Sequence, residues 1–327
     1  MTYHLNLEQT EFLKKRYNKD LHLVPLQEEA STRKYFQIKT KSEIEVLCVD
    51  QTVNEDFIKL SEFLFNEGIR VPRIFEVESK LGLIFMSFEG LEDFGTYSLD
   101  EYKEKFPNII DLILKLQTLD PPNFVKERKF DTEKLGFEVN LTIEKFQLFA
   151  KEYNLRTTIS NEAIAFLDET VAYLNVYPIN VFTHRDFHCR NLLRNEHSMM
   201  SLIDFQDARM GVPQYDLASI LYDAYYPLPR DFRMQMLRYY QSKSIDQSKK
   251  FMEVFYLQTL QRSFKALGTY FRMVTDQKKE KFKPSILKCL NQLEDIIQLG
   301  MFADSLYIFI RSLRNELNNK PEFKNYL

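Results

Sequence analysis

The sequence predicts an α+β protein in two parts, a small antiparallel sheet with helices followed by a larger part that is nearly all helical. Short alternating or β-branched runs occur in the first 87 residues, and helical periodicity dominates from Leu99 onward. The segment 88–94, FEGLEDF, separates the two patterns. We therefore expect a sheet domain over residues 1–87, a hinge over 88–94 and a helical domain over 95–327.

The first part contains short predicted strands and two predicted helices. A charged amphipathic helix is predicted over residues 7–17, and a second helix begins after Asn54 and ends at Gly68. Strands are predicted over residues 21–27, 33–39, 44–49, 74–77 and 83–87. Short loops join them, which favours an antiparallel sheet with the order strand, strand, strand, helix, strand, strand.

Helical periodicity is clearest over residues 250–276. The apolar stripe of this segment consists of Leu257, Leu260, Phe264, Leu267, Phe271 and Val274. Further helices are predicted over residues 109–116, 143–153, 162–174, 214–226 and 229–240, with two more within 284–308. A polar tail is predicted from Lys320 onward.

Composition limits the class of partner and the compartment. Of the 327 residues, 44% are hydrophobic and 28% are charged, which is ordinary for a globular protein with a substantial core. The net charge of −3 argues against nucleic acid or a membrane surface as a partner. The sequence has no apolar run of membrane-helix length, and its N-terminus lacks the apolar core of a signal peptide. Three widely spaced cysteines favour neither disulfides nor zinc, so we expect a cytoplasmic protein.

The segment 182–207 contains the strongest functional pattern. His184-Arg185-Asp186 follows an apolar run, Asn191 follows after a short loop, and Asp204 ends a second apolar run beyond a predicted hairpin. Phosphoryl transfer needs one carboxylate that orients the attacking hydroxyl and takes its proton. It also needs an amide oxygen and a second carboxylate that hold magnesium. The spacing therefore predicts Asp186 as the catalytic base and Asn191 and Asp204 as Mg²⁺ ligands. A capped loop before an ordinary strand is the alternative, and the complete pattern disfavours it.

The same segment carries a family resemblance. HRDFHCRNLL at residues 184–193 resembles the loop HGD-x-H-x-x-N of the aminoglycoside phosphotransferase and choline kinase superfamily. LIDFQDA at 202–208 and YDLASILYDAY at 215–225 are similar to the bacterial anomeric sugar kinases of cell-wall recycling. STRKYF at 31–36 and LQRSFKALG at 260–268 fit the same subfamily, so the resemblance covers nearly the whole chain.

This resemblance implies a two-lobed protein-kinase-like fold and a phosphotransferase with an alcohol group as acceptor. ATP and Mg²⁺ are the implied cofactors. The implied reaction transfers the γ-phosphoryl group to the anomeric hydroxyl of N-acetylmuramate or N-acetylglucosamine, so the expected partner is a small amino sugar. Kinases for an aminoglycoside, choline or another alcohol remain the first alternative, with Tyr222, Tyr225 and Tyr226 as candidate aromatics for a choline cage. A nucleotide-binding pseudokinase is the second alternative.

The resemblance also assigns roles around the catalytic loop. His188 either faces the transferring phosphoryl group or bonds the loop backbone, and Asp207 is either an acceptor contact or a surface carboxylate. Asp216 is expected to cap backbone amides of the loop. Asp223, on the same face of the predicted helix, is expected to reach the acceptor. Arg185 is expected only to support the loop.

The nucleotide site departs from the usual kinase pattern. The third strand has no lysine to clamp the phosphates, and no Gly-x-Gly-x-x-Gly loop is present, so the turn 28–32 must cover the phosphates without glycine. Arg33 and Lys34 are the candidate replacements for the clamp, with a solvated strand face as the alternative. Glu62 is the candidate partner of that cation. Backbone groups of the hinge segment Met86, Ser87 and Phe88 are expected to meet adenine.

The long helix 250–276 supplies candidate acceptor contacts. Arg262, Lys265 and Arg272 share one face by their spacing, and a solvated basic face is the default for such a pattern. The alternative is that Arg262 or Lys265 binds the lactyl carboxylate of N-acetylmuramate through a charge-assisted hydrogen bond.

Overall fold

The computed structural model describes residues 5–18, 21, 23–26, 33–40, 44–300 and 302–326. The chain forms two compact units, Met1–Thr96 with Arg190–Gln206, and Tyr97–Cys189 with Asp207–Leu327. The first unit thus includes the segment predicted as a hinge and the hairpin that the sequence-based division assigned to the helical domain. The reason is hydrogen bonding, because that hairpin pairs with residues 92–93 and the Leu202 N–H donates to the Arg70 carbonyl at 2.9 Å.

The first unit is built on a five-stranded antiparallel sheet in the order β1-β2-β3-β5-β4. The strands are β1 Leu23–Pro25, β2 Lys34–Lys39, β3 Ile44–Val49, β4 Ile74–Glu78 and β5 Leu83–Ser87. Leu47 pairs with Phe36 on one side and Phe85 on the other, and these three side chains pack with Leu13 of helix α1, Leu7–Tyr17. The predicted element order is confirmed. The first strand was predicted over residues 21–27, but Leu21 lies outside β1, and residue 27 lies outside the described residues.

Helix α2, Glu55–Asn66, lies between β3 and β4 in the chain. Asn54 caps its start by accepting the Phe57 N–H, and Gly68 follows its end with φ of 69°. A second, three-stranded sheet of this unit has the order β6-β8-β9, formed by β6 Glu92–Asp93, β8 Leu192–Arg194 and β9 Met200–Leu202. The predicted hairpin after Asn191 is therefore confirmed. A 3-10 turn, Phe94–Thr96, follows β6.

The second unit is mostly helical, with one short antiparallel pair, β7 Val181–Thr183 and β10 Arg209–Gly211. Its helices are α3 Leu99–Gln117, α4 Asn123–Lys126, α5 Thr132–Glu152, α6 Asn161–Asn175, α7 Gln214–Leu221, α8 Arg230–Lys243, α9 Phe251–Thr275, α10 Lys283–Gly300 and α11 Asp304–Asn318. The 3-10 turns are Cys189–Asn191, Glu280–Phe282 and Pro321–Tyr326.

Helix α9 is the centre of the second unit and packs against α5, α7 and α10. Gly268 allows the close approach of α5, because a Cβ at this position would lie 2.3 Å from Thr142 Oγ1. None of the helices in the described part of the chain is long and apolar enough to cross a membrane.

Four predicted helix boundaries were wrong by five residues or more, and one of them is the end of α11, which lies at Asn318 rather than at 308. Helix α3 begins at Leu99 rather than 109, because Ser98 and Glu101 form a capping box there. Helix α5 begins at Thr132 rather than 143, where Asp131 accepts the Lys134 N–H. Helix α7 ends at Leu221 rather than 226. The predicted polar tail also includes a fully buried side chain, Phe323, within a 3-10 turn.

Candidate active site

The loop of residues 184–191, called the catalytic loop because it contains the predicted base Asp186, follows strand β7. Asp216, at the start of helix α7, binds two of its backbone amides. Asp216 Oδ2 accepts the His184 N–H at 2.7 Å, and its Oδ1 accepts the Arg185 N–H at 3.0 Å. Arg185 has φ of 82°, a left-handed conformation that these two bonds stabilise. Burial raises the pKa of Asp216 to about 6, against the opposing effect of nearby His184. The predicted capping role of Asp216 is confirmed.

Asp186, the predicted base, is surrounded by cations from two elements. Lys265 Nζ on α9 donates to Asp186 Oδ1 at 2.8 Å, and Arg262 Nη2 on the same helix lies 3.7 Å from that oxygen. Arg185 Nη1 lies 3.8 Å from Asp186 Oδ2. Burial acts to raise the pKa of Asp186, but the attraction of Lys265, then Arg185 and Arg262, holds that pKa well below its usual range.

Arg185 joins two further carboxylates to this group. Its Nη1 lies 2.8 Å from Asp207 Oδ2, and its Nη2 lies 3.7 Å from Glu138 Oε1. Asp207 therefore binds the supporting arginine of the loop, which is a different contact from the predicted one with the acceptor. Asp207 is exposed, whereas Glu138 is buried.

Glu138, on helix α5, is the site residue that the sequence-based analysis missed. Its Oε2 accepts the Gln261 Nε2–H at 3.2 Å, and its Oε1 lies 3.4 Å from Lys134 Nζ. Burial acts to raise the pKa of Glu138, but Lys265, then Arg185 and Lys134, lower it. The only signal in the sequence was a glutamate among apolar residues of a helix, and the predicted start of α5 at residue 143 excluded even that.

Asp223 holds the far end of the catalytic loop. Its Oδ2 accepts the Cys189 N–H at 3.0 Å and its Oδ1 accepts the Tyr225 N–H at 2.8 Å. The second bond closes a turn immediately after α7, which accounts for the early end of that helix. Both oxygens of Asp223 are therefore engaged in positioning the backbone, although the residue also lines the cavity described next.

A cavity of about 540 Å³, which includes space open to solvent, lies beside Asp186 within the second unit. Its lining combines charged side chains with tyrosine rings and small polar groups, among them His188, Ser219, Arg262, Lys265 and Tyr270. The His188 ring packs edge-on against Tyr225, with 5.3 Å between the ring centroids. Such a cavity suits a small polar molecule that has an apolar face.

Among the residues that line this cavity, Arg262 is unusual in its burial and in its hydrogen bonding. It is only 9% exposed, and its buried Nε–H donates no hydrogen bond to any residue that the structure describes. Its contact with Asp186 at 3.7 Å is an ion pair without hydrogen-bond geometry. Arg262 is therefore buried and Lys265 is largely buried, so the prediction of a solvated basic face is wrong for both. It is correct for Arg272, which is exposed.

The predicted magnesium ligands come together in the first unit. Asn191 is buried and its Nδ2 lies 3.5 Å from Asp204 Oδ2, while the Ile203 N–H donates to the Asn191 carbonyl at 3.0 Å. Asp204 has φ of 64° and is exposed, and Gln206 Nε2 donates to its Oδ1 at 2.8 Å. The amide nitrogen of Asn191 faces Asp204 here, and the two side chains together offer an amide oxygen and an accessible carboxylate, which are oxygen donors of the kind that suits Mg²⁺.

Comparison with known proteins identifies the family. The family model described as "Phosphotransferase enzyme family" matches residues 22–251. The chain belongs to the phosphotransferase enzyme family. It is similar to two proteins named N-acetylmuramate/N-acetylglucosamine kinase. That of Neisseria meningitidis serogroup B is 26% identical over 90% of this chain and 91% of the relative. That of Pseudomonas aeruginosa is 24% identical over 87% of this chain and 88% of the relative.

Solved structures confirm the protein-kinase-like fold of this phosphotransferase. A spectinomycin phosphotransferase, solved with ADP and spectinomycin, aligns with a TM-score of 0.60 and 14% identity over 91% of this chain and 98% of its own. The choline kinase LicA from Streptococcus pneumoniae aligns with a TM-score of 0.57 and 14% identity over 90% and 100%. Both identities are low, so these neighbours support the fold and leave the acceptor open.

Arg33, one of the two residues predicted to clamp the nucleotide phosphates, is paired with Asp50 rather than with the expected Glu62. Arg33 Nε donates to Asp50 Oδ2 at 2.9 Å, and its guanidinium lies 5.4 Å from the centroid of the Phe57 ring. Glu62 is exposed on α2 and forms no ion pair with the described residues, so the predicted Glu62 partner is wrong. Asp50 directly follows β3 and lies beside Arg33, which directly precedes β2, because β2 and β3 are paired neighbours. Lys34 is exposed, and the turn 28–32 lies outside the described residues.

Three residues were predicted to contact adenine. Met86 and Ser87 are the last two residues of strand β5, and Phe88 follows them. Met86 is buried, and the Ser87 N–H already donates to the Arg73 carbonyl at 2.9 Å. Ser87 Oγ donates to Glu89 Oε1 at 2.6 Å. The Ser87 backbone N–H is thus occupied by the sheet, which leaves Met86, Phe88 and the Ser87 carbonyl as the remaining predicted contacts.

Proposed function

We propose that this phosphotransferase is an ATP-dependent sugar kinase that phosphorylates the anomeric hydroxyl of N-acetylmuramate and N-acetylglucosamine. The names of its relatives support this acceptor, and the contacts of Asp186, Asn191 and Asp204 support the reaction class. ATP as donor and three buried free thiols fit a cytoplasmic enzyme.

In the proposed reaction, Asp186 orients the anomeric hydroxyl and accepts its proton late in the transfer. The Asp216 and Asp223 carboxylates fix the loop that carries Asp186 at both of its ends. His188 lines the same cavity and is the candidate contact to the transferring phosphoryl group. Asn191 and Asp204 would hold Mg²⁺, which when bound neutralises charge on the nucleotide phosphates.

Nucleotide binding is proposed for the first unit. Arg33 is the better candidate for the phosphate contact, because its bond to Asp50 fixes the guanidinium on the sheet, whereas Lys34 is exposed. The planar fork of arginine also suits two phosphate oxygens at once. Met86, Ser87 and Phe88 remain the proposed contacts to adenine.

The observation that carries the choice of acceptor is the buried Arg262. A buried guanidinium Nε–H that donates no hydrogen bond is costly, so a ligand in this cavity that supplies an acceptor to Arg262 would be favoured. The lactyl carboxylate of N-acetylmuramate is such a group. Lys265 lies beside it, although its ammonium is bonded to Asp186.

The same observation argues against choline. A quaternary ammonium would enter a cavity that already contains the cations Arg262 and Lys265. Two of the three candidate cage residues have other partners, since the Arg233 guanidinium lies 4.4 Å from the Tyr222 ring centroid and Tyr226 donates to the Tyr97 carbonyl. Tyr225 lines the cavity.

The test is an assay of acceptor-dependent ADP release over N-acetylmuramate, N-acetylglucosamine, other amino sugars, aminoglycosides and choline. Phosphorus NMR of the product would locate the phosphate at carbon 1. The methyl glycoside of N-acetylglucosamine, which lacks the anomeric hydroxyl, is the matched control and should not be phosphorylated. Turnover of that glycoside, or of choline or an aminoglycoside in place of the reducing sugars, would contradict the proposed acceptor.

A further inference from the structure

The group around Asp186 poses a chemical problem for the proposed reaction, on which this inference rests. A carboxylate that accepts a hydrogen bond from a buried ammonium is a weak base. Protonating it would leave the largely buried Lys265 ammonium, which is bonded to Asp186 Oδ1 at 2.8 Å, beside a neutral acid. Asp186 becomes a stronger base if this ammonium can move to another anionic group.

Glu138 has the properties of that second carboxylate. It is 4% exposed, and its Oε1 accepts no hydrogen bond from the described residues, although Lys134 and Arg185 lie 3.4 and 3.7 Å away. A buried carboxylate oxygen with unused acceptor capacity is rare in native proteins. Arg185 lies between the two carboxylates, with Nη1 3.8 Å from Asp186 Oδ2 and Nη2 3.7 Å from Glu138 Oε1. Glu138 therefore belongs to the same charged group as Asp186 and Lys265.

The neighbours of Glu138 fix it in this place. Gln261 Nε2 donates to Oε2 at 3.2 Å, and Gln258 Nε2 donates in turn to Gln261 Oε1 at 3.1 Å. Both glutamines are buried on α9, the helix that carries Lys265. This chain of amides orients the Glu138 carboxylate so that Oε1 is left for a cation.

We propose that Glu138 is a positioning residue that receives the Lys265 ammonium from Asp186 when the acceptor hydroxyl binds. Asp186 then accepts a hydrogen bond from the hydroxyl in place of the ammonium. In the transfer, the acceptor O–H bond breaks and its proton goes to Asp186. The acceptor oxygen bonds to the γ-phosphorus, and the bond from that phosphorus to the β–γ bridging oxygen breaks, with its electron pair remaining on ADP. The Lys265 ammonium stays paired throughout.

A double-mutant cycle tests this role. The single-turnover rate at saturating ATP and acceptor is measured for the wild type, Glu138→Gln, Lys265→Gln and the double variant. Glu138→Gln keeps the size of the side chain and removes its charge. We expect it to lower the rate by about tenfold in the wild-type background, a fraction of what a general base contributes. In the Lys265→Gln background, the same substitution should change the rate by less than about twofold, because no ammonium remains to be moved.

Three controls make the result specific. Glu144→Gln removes the same charge from an exposed position of α5 and should leave the rate unchanged. The KM for ATP should be unaffected in Glu138→Gln. Its circular dichroism spectrum and Tm should match those of the wild type, because a loss of folded protein lowers the amount of active enzyme without changing KM. If Glu138→Gln does not fold, Glu138→Asp keeps the charge and retracts the carboxylate, and should give a smaller loss that again disappears in the Lys265→Gln background.

An equal rate loss from Glu138→Gln in both backgrounds would overturn the proposal and leave Glu138 a structural residue. The cycle is run with whichever alcohol the acceptor screen identifies, so failure of the sugar assignment does not affect it. An Asp186→Asn variant with unimpaired turnover would instead overturn the proposed catalytic base, on which both proposals depend.

Discussion

Lys265 Nζ donates a 2.8 Å hydrogen bond to Asp186 Oδ1, so the predicted base is bonded to a lysine that lies 79 residues further along the chain. Arg262, one helical turn before Lys265, lies 3.7 Å from the same oxygen. Helix α9 therefore supplies two buried cations to the catalytic loop. These contacts lead to several expectations about activity.

Removing the base should abolish most of the turnover while preserving nucleotide binding. Asp186→Asn is expected to lower kcat by a factor on the order of hundreds or more, as loss of a positioned general base does. The Kd for ATP, measured by calorimetry, should change little. Wild-type turnover in this variant would contradict the assignment of Asp186.

Removing the proposed metal carboxylate should have a different effect. Asp204→Asn is expected to weaken nucleotide binding in the presence of Mg²⁺ and to have little effect in EDTA, because only the metal-bound complex uses this oxygen. Asp168→Asn, on the exposed face of α6, is the control for charge. The assignment of Asp204 is wrong if Mg²⁺ strengthens nucleotide binding by Asp204→Asn as much as it strengthens binding by the wild type.

The phosphate contact is tested by two separate substitutions. Arg33→Ala should raise the KM for ATP by about tenfold or more, the value of one charge-assisted hydrogen bond. Lys34→Ala should have a smaller effect because Lys34 is exposed. Lys39→Ala, at the exposed end of the same strand, serves as the control. Unchanged ATP dependence in both Arg33→Ala and Lys34→Ala would indicate that other cations bind the phosphates.

The two sugars should respond differently to loss of Arg262. Arg262→Ala is expected to lower kcat/KM for N-acetylmuramate about tenfold more than for N-acetylglucosamine, since only the former has a carboxylate to bind. Arg272→Ala is the matched control, because it removes the same side chain from an exposed position of α9. Equal losses on both sugars would exclude the carboxylate contact and leave the kinase assignment intact.

Asp216 should make the stability of the protein depend on pH in a specific direction. Burial raises its pKa in the folded state to about 6, above the value of the unfolded chain, so the folded state binds the proton more tightly. The contribution of this group to stability is therefore largest below about pH 4 and falls as the pH rises through 6. Between these two pH limits, the contribution of Asp216 to the free energy of unfolding falls by about 3 kcal/mol, because each pKa unit corresponds to about 1.4 kcal/mol.

The measurement is the free energy of unfolding of the wild type and of Asp216→Asn at pH 4.5 and pH 7. The wild type should lose stability relative to Asp216→Asn between these two values. The comparison with the variant is needed because Asp186 and Glu138, whose pKa values are lowered, act in the opposite direction at low pH. A difference that does not change with pH would contradict the raised pKa.

The sequence alone determined the order of strands and helix along the chain for the five-stranded sheet, the hairpin after Asn191 and the capping role of Asp216. The first two depend on local information, which is the period of apolar residues and the spacing of polar residues within one short segment. Strand β3 and helix α9 were predicted to within one residue at each end for the same reason. The role of Asp216 was implied by the family resemblance, because the amides that it caps lie 32 and 31 residues before it.

Tertiary structure decided which charged residues meet at the site. Spacing placed Arg262, Lys265 and Arg272 on one face of α9, but only packing shows that the catalytic loop covers the first two and leaves Arg272 in solvent. Glu138 and Asp50 became partners of Lys265 and Arg33 through contacts between separate elements. Helical periodicity fixes the direction in which a side chain points. The residue that this side chain contacts depends on how distant segments of the chain pack together, and the spacing of residues along the sequence does not predict that packing.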